Sequence, residues 1–198
     1  MKVKQHRVVQ LSQSDPFRFA RDSALVGVHE EWVFSVIGAW RWHLVDRHGE
    51  RIKELVTKGY SIDFGGAAAP VGYGAVVVDY LMPAPDGPRS LLDVPPDADC
   101  IFCSHTLEHF VDTAGAVASM FDKLKPGGHV VIQVPSWRKQ MLNAAHWDFH
   151  EADFCLEWES NAPGSVIRLD TLLESRGFVI ELKDDWHDNV MVIARRPE

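Results

Sequence analysis

The chain has 198 residues, 46% of them hydrophobic and 24% charged, and a net charge of −8. That balance suits one well-buried domain and excludes a disordered or fibrous chain. The acidic surplus argues against nucleic acid as a main partner, because phosphate binding wants a basic surface.

Three cysteines, an odd number, give no disulfide framework. No run approaches the roughly 18 apolar residues that cross a bilayer. Polar residues interrupt the apolar region a signal peptide would need after the basic start of the chain. The expectation is a soluble cytoplasmic protein without a membrane partner.

Residues 1–59 read as a helical amino-terminal extension and 60–198 as the core; without a repeat or low-complexity linker, 1–198 is expected to be one domain. Val33, Ile37, Trp40 and Leu44 fall at three- and four-residue spacing, one apolar helix stripe. Ile52, Leu55 and Val56 continue a helical pattern after Gly49, and Gly59 stops it. Short β-rich runs follow: 61–64 into Gly65-Gly66, 75–78 into Asp79, 100–103 into Ser104-His105, and 130–134 into Pro135. They lack strict alternation, as parallel strands covered on both faces do. Between the last two, the spacing predicts a helix capped by Asp112, buried through Val117, Met120, Phe121 and Leu124, and terminated by Lys125-Pro126-Gly127-Gly128. A helix over 167–176, ended by Gly177, precedes strands at 178–182 and 190–194, joined by the polar stretch 183–189. This order predicts an α/β doubly wound, mostly parallel sheet with a closing strand pair.

The stretch from Asp97 through Ser104-His105-Thr106-Leu107-Glu108-His109, the capped helix, and Leu124-Lys125-Pro126-Gly127-Gly128 running to Pro135 resembles the S-adenosylmethionine-dependent class I methyltransferases, in their small-molecule branch. Asp63-Phe64-Gly65-Gly66, then Val78-Asp79, Asp93, and the ending Glu174-Ser175-Arg176-Gly177-Phe178 follow in the family's order, so that the likeness spans about 60–195. The resemblance implies a Rossmann-like sheet with an antiparallel closing strand and S-adenosylmethionine as cofactor. Its donor site would comprise Asp63, Gly65, Gly66, Ala67, Asp79, Tyr80, Leu81, Asp93, Val94, Ser104 and His105. In such sheets ligands bind beyond the carboxyl ends of the strands, where strand order reverses. Gly65 and Gly66 let a ligand approach the backbone, and the Asp79 carboxylate can accept from both ribose hydroxyls. Tyr80 and Leu81 would flank adenine, Asp93-Val94 would meet its edge, and Ser104-His105 would lie near the sulfonium. The departure is the connection 66–74, shorter than the dozen residues a parallel crossover normally needs, so its helix is expected to be absent or reduced to a turn.

His105 is the first candidate general base, with His109, His146 and His150 behind it, since imidazole titrates near neutrality. The bland reading is a histidine pair that fixes the strand-to-helix turn, with His109 or Glu108 hydrogen-bonded to backbone, and it is favoured for His109. His105-Thr106-Leu107-Glu108-His109 also spells His-x-x-Glu-His, a zinc peptidase pattern, but it follows a buried strand instead of lying on a helix. No metal is therefore expected. Cys100 and Cys103 have redox spacing, yet residues three apart on a strand point to opposite faces, and packing is the better reading. Residues 146–153, with His146, His150 and Glu151, are an acceptor-binding element or a surface connection, read evenly. Trp32, Trp40 and Trp42 belong to a core-covering helix, or to a lid or homodimer face; Arg195-Arg196 is a solvated end.

The reading that follows is methyl transfer to an oxygen or nitrogen of a small-molecule acceptor. The alternative is a non-catalytic protein of the same fold, acting as a binding or regulatory partner. A nicotinamide oxidoreductase is disfavoured, because residues 65–70 supply neither Gly-x-Gly-x-x-Gly nor a long helix.

Overall fold

Apolar runs bounded by small or polar residues become strands much where the sequence places them. The computed structural model describes residues 45–66, 70–79, 86–138, 152–186 and 189–198. In chain order these carry α1 (Val45–Val56), β1 (Ser61–Phe64), β2 (Val76–Val78), β3 (Ala98–Ser104), α2 (Thr113–Lys123), β4 (Leu124–Pro135), β5 (Phe154–Cys155), β6 (Ile167–Arg168), α3 (Leu169–Ser175), β7 (Val179–Trp186) and β8 (Asn189–Arg195). Short 3-10 turns at Leu91–Asp93 and Leu107–His109 precede β3 and α2 respectively.

Six strands form one sheet in the order β2-β1-β3-β4-β8-β7. The first four run parallel, β8 pairs antiparallel with β4, and β7 pairs antiparallel with β8. This is the mostly parallel, antiparallel-closed α/β sheet that the sequence predicts. Strand order reverses at β1, whose neighbours are β2 on one side and β3 on the other, and that reversal opens a crevice at the strands' carboxyl ends.

Both faces of the sheet are covered. Ile62, Ile101, Cys103, Val130 and Ile132 pack on one face with Val117 and Met120 of α2 and Leu169 and Leu173 of α3. Cys100, Phe102, Val131, Met191 and Ile193 pack on the other with Ile52, Leu55 and Val56 of α1. Cys100 and Cys103 thus sit on opposite faces, both buried and free, as alternation along a strand requires. Burial pushes the Cys100 thiol up to about 12, which keeps it protonated and inert.

Four local differences from the sequence reading have physical causes. Helix α1, described from Val45 onward, runs through Gly49 without a break. Lys125-Pro126-Gly127-Gly128 does not stop a helix into a loop; β4 begins at Leu124, opposite Ala98, with a bulge between Ala98 and Cys100. Residues 183–186 extend β7 instead of forming a polar connection, because β8 starts at Asn189 and pairs with Trp186. Arg196 is not a solvated end: Nη1 donates to the Phe121 and Leu124 carbonyls at 3.0 and 2.5 Å, and the guanidinium lies 4.8 Å over the Phe121 ring. The stripe formed by Val33, Ile37, Trp40 and Leu44, with Trp32 and Trp42, lies outside the described residues.

Candidate functional site

The carboxyl ends of β1 to β4 bring the motif residues to one end of the sheet. At β1, Asp63 is fully buried and its Oδ2 accepts from the Val71 N–H at 2.6 Å. The carboxylate therefore braces the loop leading to β2 from within. Gly65 adopts φ +79°, a region an L side chain rarely enters, and its N–H donates to the Val78 carbonyl at 2.8 Å. A Cβ on Gly65 would collide with the Thr106 side chain, and one on Gly66 with the Asp63 carboxylate. The two glycines are needed by the packing of the loop itself, whatever binds above it. No helix lies between β1 and β2 among the described residues, in keeping with the shortened crossover.

Asp79 follows β2, with its N–H bonded to the Pro88 carbonyl at 3.2 Å. Asp93 is exposed, and its Oδ2 accepts from the Arg89 and Ser90 N–H groups while Ser90 Oγ accepts from Leu92, a reciprocal capping box. Val94 is buried, and its carbonyl accepts from Lys123 Nζ at 2.6 Å. These two residues, expected at the adenine edge, thus hold the turn before β3. Ala67, Tyr80, Leu81, His146 and His150 lie outside the described residues. Of the cluster 146–153, Ala152 and Asp153 are described; Ala152 N–H donates to the Glu108 carbonyl, and burial pushes the Asp153 carboxyl up.

The end of β3 carries the densest polar constellation. Ser104 is fully buried opposite Gln133, and His105 turns the chain at φ +50° with its N–H held by the Gln133 carbonyl at 2.8 Å. A non-glycine residue in this conformation stores strain, a property that concentrates at functional sites. The His105 ring is nearly enclosed: Nδ1 lies 3.5 Å from Glu108 Oε1, and Nε2 lies 3.3 Å from Gln133 Nε2. Glu108 is 1% exposed and also faces His109 Nε2 at 3.8 Å, with His109 itself open at the rim. The His-x-x-Glu-His segment forms a 3-10 turn, and no group of three metal-binding side chains is assembled among the described residues.

Beyond β4, Trp137 Nε1–H donates to Glu159 Oε2 at 2.7 Å, and Arg138 Nη2 pairs with the same oxygen at 3.0 Å. This knot closes the end of the sheet beside β5. Residue spacing did not single out Thr106 or Gln133 as parts of the site, and it placed Glu108 only in a turn-fixing or zinc-peptidase pattern. A polar Gln133 inside an otherwise apolar strand was the available signal, since a buried amide demands partners.

Comparison with known proteins agrees with this architecture. A structure from Archaeoglobus fulgidus, described as a SAM-dependent methyltransferase, is 16% identical, with a TM-score of 0.54 over 83% of this chain and 100% of that one. Human N-acetylserotonin methyltransferase in complex with SAM is 14% identical, with a TM-score of 0.56 over 85% of this chain and 55% of that one. An O-methyltransferase family protein from Burkholderia thailandensis is 12% identical, with a TM-score of 0.55 over 98% and 68%. At these identities the likeness is one of fold. No curated protein matches the sequence. The family described as methyltransferase domain matches residues 54–182, which run from the last turn of α1 into β7. On fold and sequence together, the chain belongs to the methyltransferase-domain family and has the Rossmann-like class I methyltransferase fold.

Proposed function

We propose that the chain transfers a methyl group from S-adenosylmethionine to an oxygen or nitrogen of a small-molecule acceptor, with His105 as general base. The observation that carries this reading is the convergence at the strand-order reversal: the glycine turn and Asp79 on one side, and the strained, nearly enclosed His105 on the other. The donor set fits the nucleoside end of the cofactor. Asp79 offers an acceptor-only carboxylate for ribose hydroxyls, and Gly65 and Gly66 present backbone without a Cβ. When bound, the donor supplies an electrophilic methyl whose carbon–sulfur bond breaks toward sulfur as the acceptor's lone pair bonds to carbon. The chain's part is to orient the acceptor and to take its proton at an imidazole nitrogen of His105.

Calorimetry with S-adenosylhomocysteine tests the reading. Binding is expected in the wild-type protein and is expected to be lost in Asp79→Ala, with the melting temperature of the unliganded protein unchanged. Absence of heat at millimolar ligand would remove the donor from the site. Unchanged affinity in Asp79→Ala would remove Asp79.

One observation favours a second reading. The β1–β2 loop satisfies much of its own polarity, through Asp63 to Val71 and Gly65 to Val78, and lacks a crossover helix among the described residues. A non-catalytic protein of this fold would keep such a loop for shape alone. Donor binding in the same titration without turnover on any acceptor would favour it.

A further inference from the structure

His105 meets two neighbours of opposite hydrogen-bonding character. A carboxylate can only accept, so Glu108 Oε1, 3.5 Å from Nδ1, favours the ring proton on that nitrogen. The amide nitrogen of Gln133 can only donate, so at 3.3 Å it faces the lone pair of Nε2. Both neighbours select the same neutral tautomer. Gln133 is fully buried in β4 and Glu108 is 1% exposed in the 3-10 turn after β3, so two separate elements fix the ring. The backbone agrees: His105 N–H is tied to the Gln133 carbonyl at 2.8 Å, and the strained φ of +50° aims the ring into this slot. A carboxylate that orients an imidazole and sets its tautomer is a recurring device for general bases.

We infer that Glu108 is the positioning residue of His105, holding the imidazole proton on Nδ1 so that Nε2, resting against the Gln133 amide, is the nitrogen that accepts a proton from the acceptor. The inference rests on the reading of His105 as base, and it narrows that reading to one nitrogen. The acceptor's O–H or N–H would take the place of the Gln133 contact at Nε2, since one lone pair serves one donor. His109 shares the same carboxylate at 3.8 Å and is a rim neighbour with no part in the tautomer.

Long-range nitrogen–proton correlation spectra of ring-labelled histidine read the tautomer directly. His105 is assigned by loss of its signals in His105→Gln. The wild-type protein, without any ligand, is expected to show His105 as the Nδ1–H form. Gln133→Leu removes the donor at Nε2 and leaves Glu108 alone against the ring, and it is expected to keep His105 in the Nδ1–H form. An Nε2–H ring in the wild-type protein overturns the proposal without any variant, and so does an Nε2–H ring in folded Gln133→Leu. His109→Gln is expected to leave the His105 tautomer as it is; a switch there would assign the control to His109 and overturn the proposal. None of these readouts needs donor or acceptor, so their failure is distinct from a failure of the calorimetric test.

Discussion

At the scale of the residue, two of the three positive-φ glycines between β1 and β2 separate strain from collision. Gly65 and Gly72 both sit at φ +79°, but a Cβ meets Thr106 at the first and nothing within 4 Å at the second. Gly72→Ala should cost only the backbone penalty, about 1–2 kcal/mol. Gly65→Ala should cost clearly more, on the order of 3 kcal/mol, since a steric clash is added to it. Urea denaturation of both variants measures the difference; equal costs would mean that Thr106 yields freely. Asp63 shows how far such residues were legible. Its place before the glycines marked it as important, but spacing cannot tell that its carboxylate is consumed by Val71 inside the loop. At Asp93 the carboxylate likewise serves its own turn, through the capping box. Sequence gives position along the chain; which polar atoms are already satisfied is decided only on folding.

Elements were legible where hydrophobic period and caps agree. Asp112 caps α2, its Oδ1 accepting from the Gly115 N–H at 2.8 Å, and Val117 and Met120 are buried as the helical spacing requires. The end of α2 was legible in position but not in how its last carbonyls are satisfied, because their partner lies 72 residues further on. Leu124 leaves the helix directly into β4, and Arg196 supplies the donors that the last carbonyls lack. Arg196→Ala should lower stability by about 1–2 kcal/mol through the lost charged hydrogen bonds and ring contact. Arg196→Lys should recover only part of that, since an ammonium cannot span two carbonyls and stack on Phe121 at once. Chemical denaturation would show it, and wild-type stability in Arg196→Ala would remove the cap from the account.

For the whole molecule, the sheet divides two unequal coats, with α2 and α3 on one face and α1 on the other among the described residues. The α1 side is fastened by charge as well as by apolar packing. Arg51 and Arg195 both reach Glu181 of β7 at 3.1 Å, as does His129 of β4 at 3.3 Å, and His48 meets Asp184 at 2.6 Å. His129 sits within this belt with its pKa lowered, chiefly by burial, with Glu181 opposing and Lys58 and Arg51 adding to the shift. Below about pH 6.5 the unfolded chain takes up a proton at this histidine before the folded one does, so ∂ΔG/∂pH is positive there. Stability should therefore rise with pH between the folded value and about 6.5, then level off. His129→Asn should flatten that part of the profile in denaturation experiments at several pH values; an unaltered slope would exclude His129 as its source. The antiparallel closing strand has one more consequence, of a practical kind. β8 enters beside Pro135, at the end of the sheet that holds the site, and leaves at Arg195 beside His129, six residues back along β4 and about 20 Å away. Anything joined after Glu198, a tag, a tether or a solid support, starts from the far end of the sheet and leaves the mouth of the crevice clear.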